Sequence, residues 1–171
     1  GVLTVVVAAV AWAEPKGRLV IGVPSLGGER IDYTRPSGTT NGEIRRVLSR
    51  NLIEFGQTGE YVPGIAESWK MSPDGKTWDL MLRKGVKWHN GDTLTSEDVV
   101  FGIARMRRPE ISAGQFVSDL LDNLTKVEAV NDYHVRYHFK MPFPVFPFFV
   151  NSALPVPKKY IEKVGDDVFS N

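Results

Sequence analysis

The sequence predicts an α/β fold carrying an inserted α+β subdomain, and three observations lead there. Arg18 to Val23 (RLVIGV) is a short apolar run rich in β-branched residues, the pattern of a buried strand. Alternating segments fold back on themselves around Ser72-Pro73-Asp74-Gly75 and again around Asn131-Asp132, as hairpins do. Between the two hairpins, Thr95-Ser96-Glu97-Asp98 opens a stretch of helical periodicity. Strands mixed with helices and hairpins in this way describe an α/β chain with an α+β insertion.

The first element is a leader. Val2 to Ala13 (VLTVVVAAVAWA) is apolar and ends in Ala11-Trp12-Ala13, with small residues at the positions a signal peptidase accepts. The run is too short for a membrane-spanning helix, which needs about 20 residues. A cut after Ala13 is expected, with residues 1–13 as the partial signal. No cysteine follows the run, so no lipid anchor attaches there. A cleaved, unlipidated export signal implies a periplasmic protein.

After the Arg18–Val23 strand, Ser25-Leu26-Gly27-Gly28 forms a loop at its C-terminal end. Asn41 to Phe55 reads as a helix, with Ile44, Val47, Leu48 and Leu52 on one face and Arg45, Arg46 and Arg50 away from it. Thr40 or Asn41 is its cap. Gly56 to Gly59 is a turn. In the first hairpin, Trp78, Leu80 and Leu82 alternate with Asp79, Met81 and Arg83, so the first set faces a core. Asn90-Gly91 is a further turn. The helix from about Ser96 to Arg107 takes Thr95 as N-cap and Asp98 as capping-box partner, buries Val99, Val100, Ile103 and Met106, and is closed by Pro109.

Ile111 to Leu121 fits either a loop or a short helix. Leu124 to Val130 and His134 to Lys140 are paired strands, with Val135, Tyr137 and Phe139 facing one way. Met141 to Val150 (MPFPVFPFFV) holds three prolines, which argue against a regular helix and leave its aromatics to cover a core edge. Val156 to Lys163 reads as a short helix with Pro157 in its first turn.

Composition narrows the function. The 171 residues carry 21 basic and 20 acidic side chains, a formal charge of +1 that gives no support to a nucleic-acid partner or an acidic membrane surface. The absence of cysteine excludes disulfides, thiolate metal sites and a cysteine nucleophile. His134 and His138 share a strand face but stand about 13 Å apart, too far to chelate one ion. His89 sits at a turn. None of the three histidines marks a metal site, and no cofactor is expected.

Among the carboxylates, Asp74 and Asp98 are accounted for by turn and cap roles, which leaves no acid–base pair. There is no G-x-S-x-G elbow, H-E-x-x-H or phosphate-binding loop. Ser37-Gly38-Thr39-Thr40 has two readings: a plain loop with an N-cap, or hydroxyls and free N–H groups lining a cleft beside a helix N-terminus. Trp69, Trp78 and Trp88 are expected to fill the subdomain's core.

One family unites these segments. "PGIAESW", "SPDGKTW", "LRKGVKWHNGD" and "TSEDVVF", in this order and spacing, resemble the extracytoplasmic solute-binding proteins of ABC importers, in the branch that takes up peptides and nickel. The resemblance covers nearly everything from Gly17 onward, and only the N-terminal part of such proteins. It implies a periplasmic-binding-protein-like two-lobed fold of type II that closes on its solute, and no enzymatic activity. Residues 14–40 would start lobe one, 41–150 would be the inserted α+β subdomain, and 151–171 would return into lobe one.

Dipeptide-binding members carry a similar S-G-T-T near their ligand, and an aromatic from the stretch after Pro109 can reach their cleft. The resemblance therefore implies Ser25, Leu26, Gly27, Ser37, Gly38, Thr39 and Phe116 as ligand-binding residues, with a short peptide or similar small solute and an ABC-type inner-membrane permease as partners. Nickel chelates or oligosaccharides are the alternative solutes. A hydrolase or a self-contained interaction domain stands as the alternative class.

Overall fold

The computed structural model describes residues 49–108, 111, 115–150 and 154–170. The expected leader, the Arg18–Val23 strand and the loops that follow it lie outside them. The described chain is built on an antiparallel sheet. Ala66–Met71 (β3), Thr77–Leu82 (β4), Leu124–Asn131 (β5) and His134–Phe139 (β6) lie in the order β3-β4-β6-β5. Ahead of it, Ile53–Phe55 (β1) and Tyr61–Pro63 (β2) form a separate hairpin.

The turn at Ser72–Gly75 closes β3 onto β4. Gly75 takes φ +70°, which suits a residue without a Cβ, and donates to the Ser72 carbonyl at 2.9 Å. Asp74 accepts from Ser72 Oγ at 2.5 Å and from the Lys76 N–H at 3.1 Å, so its turn role holds. Along β4, Trp78, Leu80 and Leu82 are buried in alternation with Asp79 and Met81. On β6, Val135, Tyr137 and Phe139 are buried in the same alternation. Both strand phases match the sequence reading, because a sheet with one covered face imposes period two.

The covered face is roofed by the helix Ser96–Met106 (α1), which packs on β5 and β6, and by the helix Gln115–Asn123 (α2). α1 buries Val99, Ile103 and Met106 as expected, while Val100 is only half-buried. The ambiguous stretch after Ile111 resolves as α2, anchored by fully buried Leu120. β5 is the last strand of the sheet among the described residues, and its register slips between Leu124 and Lys126 and again between Ala129 and Asn131.

Two sequence expectations are corrected. The helix placed over Asn41–Phe55 does not hold from Asn51 onward; residues 41–48 lie outside the described residues. Ile53–Phe55 is a strand, and the Asn51 and Leu52 carbonyls accept the Ile65 and Ala66 N–H groups at 2.9 and 2.8 Å. Leu52 is buried, but at a bend just before the strand and not on a helix. Long-range pairing satisfies the backbone here and overrides a helical spacing of apolar residues.

The proline-rich stretch was the second. It contains a single helical turn, Phe146–Phe149 (α3), with Pro147 at the helix start, where its missing N–H costs nothing. Phe146 does not lie at a core edge. It is fully buried, with its ring centroid 4.7 Å from Tyr137 and 5.4 Å from both Trp78 and Phe139. Trp78 is buried, and Trp69 and Trp88 pack partly buried against the same core, as the sequence implied.

Tyr137 brings a polar atom into that core. Its hydroxyl is buried without a hydrogen-bond partner among the described residues, and burial pushes its ionisation well above the usual phenol range. An unsatisfied buried hydroxyl costs about 1–3 kcal/mol. Tyr137→Phe should therefore leave stability unchanged or raise it by up to about 1 kcal/mol, read from a denaturant midpoint. A loss above that size would show that the hydroxyl has a bonding partner.

Candidate functional site

The N-terminus of α1 is where the described parts of the chain are tied together. Thr95, in extended conformation, is the N-cap, and Asp98 returns the bond by accepting the Thr95 N–H at 2.8 Å, completing the capping box. Asp98 does more than cap. Its carboxylate also accepts Trp88 Nε1 at 3.2 Å and the Lys158 N–H at 2.9 Å, and it is only 5% exposed. Lys158 opens the helix Lys158–Val164 (α4), with Pro157 at the N-cap rather than within the first turn. Lys158 Nζ pairs with Glu97 at 2.9 Å.

Ser96 locks the same corner to the β5–β6 turn. Its Oγ donates to the Asn131 carbonyl at 2.6 Å and its N–H to the Asp132 carbonyl at 2.8 Å. On the next turn of α1, a Cβ at Gly102 would stand 2.9 Å from the Leu154 carbonyl, so only glycine allows segment 154–156 to lie this close. A cleft of about 400 Å³ opens beside the corner, lined by Trp88, Asp92, Glu97, Asp132, Lys158 and Glu162 among others.

The C-terminal half of α1 makes a second tie. Arg105 is fully buried and its Nε lies 2.5 Å from Asp166 Oδ1, at the start of the last helix, Asp166–Ser170 (α5). Arg108 pairs with the other oxygen of the same carboxylate, and the Phe169 ring covers the Arg105 guanidinium at 5.2 Å. Burial raises the Asp166 carboxyl, but the two arginines outweigh it and hold the group below the usual carboxylate range.

On the open face of the sheet each strand histidine meets a carboxylate. His134 Nε2 is 2.5 Å and Arg136 Nε 2.7 Å from Asp79 Oδ1, while His138 Nε2 is 2.9 Å from Glu128. The expected solvated face is therefore a paired one, and the side chain of His134 is only 12% exposed. Burial pushes Asp79 up, yet the Arg136 and His134 hydrogen bonds win and its pKa is lowered. Lys126 and His138 hold Glu128 at about 2. Among the described residues no three histidine, aspartate or glutamate side chains gather closely enough to hold a metal ion.

These carboxylates set a pH dependence with a definite sign. Their folded pKa values lie below the unfolded ones, so the folded state gains stability above the unfolded values, near 4, and loses it as pH falls through the folded ones. Urea midpoints should be level between about pH 7 and 5 and fall from about pH 4 to 2. Asp166→Asn should shrink the fall. A midpoint unchanged down to the acid end would contradict the ion pairs.

The residues implied as ligand-binding are not among these. Ser25, Leu26, Gly27, Ser37, Gly38 and Thr39 lie outside the described residues. Phe116 falls in the first turn of α2, with its side chain outside them. What is described is the mounting of that helix. At its far end the Asn123 carbonyl accepts the Lys140 N–H at 2.9 Å and its side chain accepts the Met141 N–H at 3.1 Å, while Lys140 Nζ donates to the Asp122 carbonyl at 2.5 Å. Sequence reasoning gave Asp98 a capping role alone and did not single out Asp166. Their second partners lie about 60 residues away along the chain, and no local pattern points to them.

Comparison with known proteins agrees with the motifs. Residues 60–170 match the family described as bacterial extracellular solute-binding proteins, family 5, middle. The chain belongs to this family. It is 34% identical over 155 residues to the periplasmic oligopeptide-binding protein OppA of Haemophilus influenzae, covering 81% of this chain and 29% of that protein. It is also 34% identical to the dipeptide-binding protein of Escherichia coli over 69% of this chain and 25% of that one.

The crystal structure of Haemophilus influenzae OppA in complex with RPPGFSPFR superposes with a TM-score of 0.74 at 32% identity, over 82% of this chain and 31% of that chain. The fold is thus that of part of a type II periplasmic binding protein. The matched part of the chain spans 29% and 25% of the length of these two relatives. No helix among the described residues is long and apolar enough to cross a membrane.

Proposed function

We propose that this family 5 chain is part of the periplasmic substrate-binding component of an ABC importer. It captures oligopeptides or dipeptides in a cleft between two lobes and delivers them to the inner-membrane permease without changing them chemically. The observation that carries this reading is the 34% identity, over 81% and 69% of the chain, to relatives named for binding oligopeptides and dipeptides. Residues 14–40 and 151–171 belong to lobe one, and residues 41–150 form the subdomain inserted into it. Residues 1–13 are the cleaved export signal. The loop Ser25, Leu26 and Gly27, the segment Ser37, Gly38 and Thr39, and Phe116 line the cleft from this side, with glycine backbone approaching the ligand closely. Peptide backbone pairs with exposed strand edges, and pockets accept side chains loosely.

Calorimetric titration of the full-length protein against a peptide library tests this. Micromolar binding, about −8 kcal/mol, is expected, with the peptide recovered intact. Gly38→Val should weaken it by about tenfold while leaving the melting temperature in place, because it adds bulk to a cleft wall. A Gly38→Val protein that titrates like its parent removes the site assignment and leaves the function. If no peptide gives heat but a nickel chelate or an oligosaccharide does, the peptide assignment falls. Turnover of the peptide would make the protein a hydrolase.

A further inference from the structure

We draw no further inference here: the strongest candidate, the acidic cleft beside the N-terminus of α1 lined by Trp88, Asp92, Glu97, Asp132, Lys158 and Glu162, carries nothing because its one buried carboxylate, Asp98, is fully engaged by Trp88, Thr95 and Lys158 and nothing in the structure points to a ligand for the rest.

Discussion

Leu80→Ala should destabilise the protein by about 2–5 kcal/mol, the range for emptying a fully buried leucine site. Leu80 is 0% exposed and sits at the middle of β4. It faces Trp69 across β3 and Val135 across β6 in register, and Val99 and Ile103 of α1 share its core. A strand between two neighbours cannot shift to fill the void, so the cavity stays open. The adjacent Asp79 points to the other face, where it meets His134 and Arg136. Asp79→Ala should cost about 1 kcal/mol or less, since pairs this near solvent are screened. Denaturant midpoints of the two variants give the comparison directly. Equal losses would mean that the strand phase is wrong.

Asp98→Ala should cost about 3–5 kcal/mol, more than loss of a helix cap alone, which is worth about 1 kcal/mol. Three donors lose their acceptor together: Trp88 Nε1, the Thr95 N–H and the Lys158 N–H. The cleft beside them admits water, which keeps the cost below the sum of three buried orphans. Asp98→Asn keeps one acceptor oxygen and should fall between the parent and the alanine variant. Thermal or urea denaturation reads both. A loss under about 1 kcal/mol would show that the carboxylate is a cap and nothing more.

Some of this architecture was legible in the residues, and the reasons differ by element. β4 and β6 could be phased because one face of the sheet is covered and the other open, so apolar and polar side chains must alternate. The capping box was legible because its partners are three residues apart. β1 was not legible. A three-residue strand carries too little pattern to compete with the helical spacing of Ile44, Val47, Leu48 and Leu52, and its partner lies beyond a turn. The place of Phe146 was hidden by the neighbouring prolines, whose effect depends on whether they fall at a helix start or inside it. The candidate ligand residues rest on the likeness of motifs alone. Ser37-Gly38-Thr39 has no periodicity that separates a cleft wall from an ordinary loop.

The two register slips in β5 bear on how the protein behaves at high concentration. An outermost strand is a template on which a strand from another molecule can grow, provided its free N–H and C=O groups run on evenly. In β5 the even run is interrupted near both ends, between Leu124 and Lys126 and between Ala129 and Asn131, and charged Lys126 and Glu128 stand between the interruptions. An incoming strand would fall out of step after a few residues and run against the charged pair of Lys126 and Glu128. Among the described residues the sheet ends at β5, and a border interrupted in this way disfavours the addition of a further strand along that edge.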